Sequence, residues 1–266
     1  MQNKTRLGRF YLTFVLILLY FPIFYLILYA FNSGQDMSSF TGFSMTHFTE
    51  FFQDSRLILI LTETFFLAFL SSIFATIIGT TGAVLIDNLK NRKQNALLGL
   101  NNILMVSPDV VIGASFLILF TLIGLQLGFA SVLLSHIAFS IPIVVLMVLP
   151  RYQEMDKSLI QAAYDLGASP WQTLKEVTLP YLTPGIIAGF FMAFTYSLDD
   201  FAVTFFVTGN SFTTLSVEIY SRARAGISLE INALSTLVFL FSILLVVGYY
   251  FIMRDTETVG KSSNLT

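Results

Sequence analysis

Cysteine is absent from the 266 residues, histidine occurs twice and tryptophan once. Without thiols there is no disulfide, no thiolate metal site and no cysteine nucleophile. Two histidines as far apart as His47 and His136 give no basis for a metal cluster. Redox compartment is therefore not legible. Charge is scarce as well: 11% of residues are charged, 55% are hydrophobic and the mean hydropathy is +0.78, values outside the range of soluble domains. The chain reads as an integral membrane protein in the lipid bilayer. A net charge of −2 is too small to speak for nucleic acid or an acidic partner. No G-x-x-x-x-G-K-[ST] phosphate loop, H-E-x-x-H pair or G-x-S-x-G elbow occurs, which excludes nucleotide binding of the usual kind and the commonest hydrolase signatures.

What is abundant is apolar sequence. Runs at 11–31, 64–86, 96–122, 129–149, 185–207 and 231–253 are each long enough to cross a bilayer as a helix, so the expected fold is an all-α bundle of six transmembrane helices in a single domain, 1–266. The first run follows Lys4, Arg6 and Arg9 but ends in Tyr29-Ala30-Phe31, without a small-residue cleavage pattern, and is read as a retained span. The polar connection 32–63 carries Phe48, Phe51 and Phe52 at helical spacing, which predicts a short interfacial helix serving as an anchor or a partner contact. The tail 254–266 is polar and expected to be disordered. Six spans put both termini on one side, where eleven of the fourteen Lys and Arg residues lie; only Arg56, Arg222 and Arg224 fall on the other. The bias makes both termini cytoplasmic.

Three acids interrupt the apolar runs. Asp109, Asp199 and Asp200 each cost about 2.5–3.5 kcal/mol at mid-span on insertion scales, so something must offset that cost. Counted along straight helices at about 1.5 Å per residue, Asp109 and Asp199 lie ~20 and ~21 Å from the cytoplasmic starts of their spans, and they would face a common aqueous cavity suited to cations. Tyr196, three and four residues before the second pair, adds an aromatic face for ammonium groups. A plainer reading is also open. Pro108 breaks its helix and Ser107 or Asp109 would cap the restart. Asp199 and Asp200 point about 100° apart on a helix, so one of them would serve an interhelical hydrogen bond. Two acids on separate helices also allow an intramembrane aspartyl protease, and a passive scaffold is the third class.

The polar island 151–183 separates the fourth and fifth runs. Asp156 is placed to cap a helix whose apolar side is Leu159, Ile160, Ala163, Tyr164 and Leu166, ended by Gly167. Ser169, Pro170 and Gln172 then form a capping box that opens a second helix, which Pro180 and Pro184 are expected to stop. With Gln161-Ala162-Ala163, Gly167 and Val177-Thr178-Leu179-Pro180, the island resembles the EAA loop of ABC-importer permeases, whose pattern is E-A-A, three residues, G, nine residues, I-x-L-P. Gln161 replaces the glutamate and Val177 the isoleucine. Together with SPDVVIGASFLILF at 107–120, SLDDFAVTFFVTG at 197–209 and EIYSRARAGISLEINAL at 218–234, the chain looks like the PotC-type permeases of spermidine/putrescine importers.

That resemblance implies a multi-pass subunit of the bacterial inner membrane with the type I importer fold and no catalysis of its own. It implies pairing with a second six-span permease, with two cytoplasmic ATPase subunits that hold ATP and Mg, and with an extracytoplasmic polyamine-binding protein. Gln161, Ala162, Ala163, Gly167, Leu179 and Pro180 would couple to the ATPase, while Asp109, Asp199, Asp200 and Tyr196 would meet the polyamine. Iron and thiamine permeases share the EAA loop, so another cationic solute is the alternative cargo.

Overall fold

A computed structural model describes residues 2–226 and 228–244 of the chain. Among them every regular element is a helix, and the one extended pairing is an isolated bridge between Asn32 and Phe43. In chain order the helices are α1 Gln2–Ala30, α2 Thr46–Gln53, α3 Ser55–Asp87, α4 Asn91–Val106, α5 Asp109–Leu122, α6 Phe129–Glu154, α7 Lys157–Asp165, α8 Pro170–Thr173, α9 Leu179–Asp199, α10 Ala202–Val207 and α11 Leu215–Ala225, followed by α12 Leu229–Leu244. A five-residue π-helical segment, Leu174–Thr178, joins α8 to α9. Four stretches are apolar and long enough to cross a membrane: Gly8–Ala30, Ser55–Asp87, Phe129–Glu154 and Pro170–Asp199. The pair α4 and α5 makes a fifth if counted as one broken span. The second half of the sixth expected span, 245–253, and the tail 254–266 lie outside the described residues.

The chain divides into two compact units. One takes the described residues of 1–58 and 221–266. In it, the connection after α1 folds around the fully buried Asn32, whose amide oxygen accepts from the Thr41 N–H at 2.8 Å while its NH₂ donates to the Asp36 and Ser39 carbonyls. The short helix predicted around Phe48, Phe51 and Phe52 is α2; Phe51 is buried and Phe52 exposed. Asp54 accepts from the Arg56 and Leu57 amides and pairs with Arg222, which also reaches Glu230.

The other unit, Leu59–Tyr220, holds the acids and the island. Its central packing joins α3, α6 and α9 around Val144. Here small residues set the distance between backbones, as expected where lipid removes the usual hydrophobic drive between helices: a Cβ on Gly79 would meet Val144 at 2.6 Å, and one on Gly189 would meet it at 3.2 Å. A second core, with Leu67, Ile112, Phe120, Val132, Phe139, Val203 and Val207, fixes α5 and α10. Gly113 lets α10 lie against α5, since its Cβ would fall 3.0 Å from Val203 Cα.

Three expectations change. The third apolar run is not one straight helix, because α4 and α5 meet at 107°. Pro108 supplies the extended N-cap residue of α5, while Ser107 closes α4 instead of capping the restart, its N–H and hydroxyl both donating to the Ile103 carbonyl. Path length along this run is therefore not depth. Pro180 and Pro184 do not stop the second island helix, which runs on as Pro170–Asp199. The π turn just before Pro180 shifts hydrogen bonding to i→i−5, with Leu179 N–H donating to Leu174, and so takes up the register that a proline would otherwise break. Finally, the fifth run is broken at Asp200 and Phe201, between α9 and α10, with no proline there.

Candidate functional site

Asp109 occupies the first turn of α5, where a carboxylate meets the positive end of the helix dipole. It is exposed. Tyr196 of α9 donates its hydroxyl to Asp109 Oδ1 at 2.9 Å, so the two residues join across helices 87 positions apart in sequence. The tyrosine ring stands edge-on to Phe139 of α6, centroids 5.1 Å apart. Tyr196 as a whole is 39% exposed. Since the tyrosine engages only one carboxylate oxygen, Oδ2 and the spare lone pairs of Asp109 remain able to accept from a cationic donor beside an aromatic ring. Asp199, one helical turn beyond Tyr196, is exposed too.

Asp200 is placed differently. Its side chain is only 5% exposed and its carboxylate caps α10: Oδ2 accepts from the Thr204 N–H at 2.8 Å and hydroxyl at 2.7 Å, and Oδ1 from the Val203 N–H at 3.3 Å. His136 of α6, fully buried, lies with Nε2 at 2.9 Å from Thr204 Oγ1 and 3.5 Å from Asp200 Oδ2. Its Nδ1 is 2.6 Å from Ser197 Oγ, which continues to Ser71 Oγ of α3 at 3.0 Å. Of the paired acids, it is Asp200 that approaches a neighbouring long helix, 3.5 Å from His136 of α6. Within residues 196–200, Tyr196 and Asp199 are exposed, while Ser197 and Asp200 turn inward. His136, Ser197, Thr204 and Ser71 were not among the sequence-based candidates. The available signal was a lone histidine in an apolar run, costly unless partnered.

The island is built as its caps predict, with one change of face. Asp156 accepts from the Ser158 N–H at 2.9 Å and begins α7. Gly167 adopts φ +84°, and the Gly167 and Ala168 amides donate to the Tyr164 and Ala163 carbonyls at 2.9 and 3.0 Å, closing α7 in a Schellman motif. Ser169 and Gln172 exchange both bonds of a capping box around Pro170. Only Ile160 of the expected apolar side packs on the core. Leu159, Tyr164, Leu166 and Trp171 are exposed, Leu166 by 89%. Gln161 and Ala162 are exposed and Ala163 half-buried, while Leu179 and Pro180 lie at the start of α9 beyond the π turn. Asp87 at the end of α3 ties the knob down, accepting from Gln153 at 3.1 Å and pairing with Lys157 at 3.8 Å.

Comparisons with known proteins agree with this architecture. The family described as "Binding-protein-dependent transport system inner membrane component" matches residues 79–255. The spermidine/putrescine transport system permease protein PotC of Escherichia coli (strain K12) is 36% identical over 255 residues, 96% of each chain. The putrescine transport system permease protein PotI of the same strain is 34% identical over 227 residues, 83% of this chain and 81% of that one. Among solved structures, a chain of "a bacterial ABC transporter involved in the import of the acidic polysaccharide alginate" superposes with a TM-score of 0.71 at 13% identity, covering 95% of this chain and 96% of that one. A chain of the MetNI methionine ABC transporter superposes at 0.59, with 21% identity, over 76% of this chain and 98% of that one. The relatives are transport permeases, and at such low identity the solved structures establish fold alone. An all-helical chain with several apolar spans, the EAA spacing on an exposed helical knob and these likenesses converge: the chain belongs to the family of binding-protein-dependent transport system inner membrane components.

Proposed function

We propose that this permease is one of two membrane-spanning halves of an ATP-driven polyamine importer, with spermidine or putrescine as cargo. The observation that carries the cargo class is the exposed Asp109–Tyr196 pair, a carboxylate and an aromatic ring joined across α5 and α9 with Asp199 one turn on. Such a surface attracts ammonium groups and repels anions. Near full-length similarity to polyamine permeases supports the same reading. Asp200, turned into the protein in this structure, bears on the pathway through the helix break it caps. In this reading the chain has six spans with both termini cytoplasmic, performs no catalysis, and works with a second permease, two ATPase subunits that bind ATP and Mg, and an extracytoplasmic polyamine-binding protein. The knob from Gln161 to Gly167, with exposed Leu159, Tyr164 and Leu166, is the contact to the ATPase, and the continuous helix from Pro170 into α9 carries motion to the acids. Of the outer stretches 48–52 and 218–224, the second has Arg222 committed to Asp54 and Glu230, so α2 is the better candidate for the binding protein.

The test is uptake by the assembled importer in proteoliposomes. ATP-dependent accumulation of labelled spermidine or putrescine, competed by unlabelled polyamine, is expected; accumulation of iron or thiamine in its place would overturn the cargo assignment. The protease reading would need peptide cleavage by the purified chain, and the transport relatives weigh against it.

A further inference from the structure

We infer that His136 is a positioning residue for the pathway: it clamps the break between α9 and α10 and so sets where Tyr196 and Asp199 stand. The inference rests on the transport reading only for its uptake arm. One imidazole reaches both sides of the break, through Nδ1 to Ser197 of α9 and through Nε2 to Thr204 of α10. Thr204 passes the connection on by donating its hydroxyl to Asp200 Oδ2, the same oxygen that caps its own amide. A break without proline in an apolar run leaves backbone groups that lipid cannot satisfy; here the Val203 and Thr204 amides are satisfied by Asp200.

The clamp is anchored in rigid surroundings. His136 is fully buried, packs on Phe139 with centroids 4.8 Å apart, and Phe139 in turn packs on Tyr196. Ser71 of α3 extends the chain of hydroxyls through Ser197. Three helices, α3, α6 and α9, therefore meet the break through one imidazole and three small hydroxyl residues. Because Ser197 and Asp200 alternate with Tyr196 and Asp199 on one short stretch, any rotation that frees the inward pair displaces the outward pair.

Thr204→Val keeps the shape of the side chain and removes the hydroxyl that links His136 to Asp200; His136→Gln keeps a polar group near Nε2 and vacates Nδ1. Each is combined with Asp199→Cys, the only cysteine this chain then carries, or with Arg92→Cys, exposed in the first turn of α4 and outside the proposed contact surfaces, as a control. In the assembled complex, modification of that cysteine by a water-soluble methanethiosulfonate is followed by mass on this chain. Loosening the clamp is expected to change the rate at position 199 by about fivefold, the factor that corresponds to one net hydrogen bond, and to leave position 92 unchanged. In chains that retain Asp199, the same two variants should raise the KM for spermidine more than they lower kcat.

Equal rates at 199 and an unchanged KM in both assembled variants would overturn the clamp. Parallel changes at 199 and 92 would do so too, since they mean general loosening. If His136→Gln fails to assemble, Thr204→Val decides alone. If the unmodified importer does not take up polyamine, the proposed cargo falls, and the labelling rates still decide the clamp.

Discussion

The two broken helices of this permease both place an aspartate at the break, and use it in opposite ways. At Ser107–Pro108 the break is covalent in origin: proline fixes the extended residue, the helices meet at 107°, and the carboxylate of Asp109 has no duty to its own backbone. At Asp200–Phe201 no proline is present, and the break exists because Asp200 spends its carboxylate on the Val203 and Thr204 amides while His136 grips both sides. An acid freed by proline remains available to a ligand; an acid that makes the break itself does not.

The sharpest way to break this contrast is to exchange charge for neutral groups at each site. Asp200→Ala leaves the Val203 and Thr204 amides and the Thr204 hydroxyl without their acceptor, and is expected to cost about 3 kcal/mol or more, at roughly 1–3 kcal/mol for each buried group left unsatisfied. Thermal unfolding of the purified complex, or the yield of assembled importer, reads this loss. Asp109→Asn removes a charge from an exposed group whose tyrosine bond survives, so stability should stay within about 0.5 kcal/mol. Spermidine uptake should nevertheless drop about tenfold or more, as for a lost charge-assisted contact, with assembly intact. Comparable stability losses in both variants would erase the distinction. Unchanged uptake in Asp109→Asn would return that acid to a structural role.

The proline break was legible because its cause is local. Pro108 and the acid after it are adjacent in sequence, and the same holds for Asp156, Gly167 and the Ser169–Gln172 box, all of which cap what their spacing predicts. The second break was not, because its cause is tertiary: Ser71, His136 and the pair Ser197 and Thr204 come from three separate apolar runs, and no local motif joins them. The same limit explains Pro180. A proline is a strong local stop, yet the π turn just before it carries the helix through. It also explains the knob's face, since Leu159, Ile160 and Tyr164 are equally apolar on paper and only packing turns Ile160 inward.

Gly167 tests the local side of the contrast at smaller scale. A Cβ there meets nothing within 4 Å, so the demand for glycine is φ +84° alone. Gly167→Ala should cost about 1 kcal/mol, the penalty of a left-handed residue with a side chain, and the loss falls on the turn between α7 and α8. Polyamine-stimulated ATP hydrolysis by the complex should fall while polyamine affinity holds. A fall in affinity with hydrolysis preserved would detach the knob from coupling.

Asp54 supplies the mildest case and separates capping from charge. Like Asp200 it caps the helix that follows, accepting from Arg56 and Leu57 amides at 2.9 and 3.1 Å, and like Asp200 it has a cationic or potentially cationic partner, here Arg222 at 3.0 Å. Its surroundings are wetter, with both side chains of the ion pair about a quarter exposed. Burial pushes its carboxyl up, but the hydrogen bonds from Arg222, Leu57 and Arg56 outweigh that and hold it below the ordinary value of 3.8. A carboxyl depressed by folding stabilises the native state above its unfolded pKa, and loses that contribution as pH falls through the lower folded value. Asp54→Asn keeps an oxygen for the two amides and loses only the pairing with Arg222, so the cost at neutral pH should be about 1 kcal/mol or less. The variant and the parent should converge in stability as pH falls below about 3.8. Were the difference to persist at lower pH, the amide bonds rather than the charge would carry it, and Asp54 would match Asp200 in kind as well as in position.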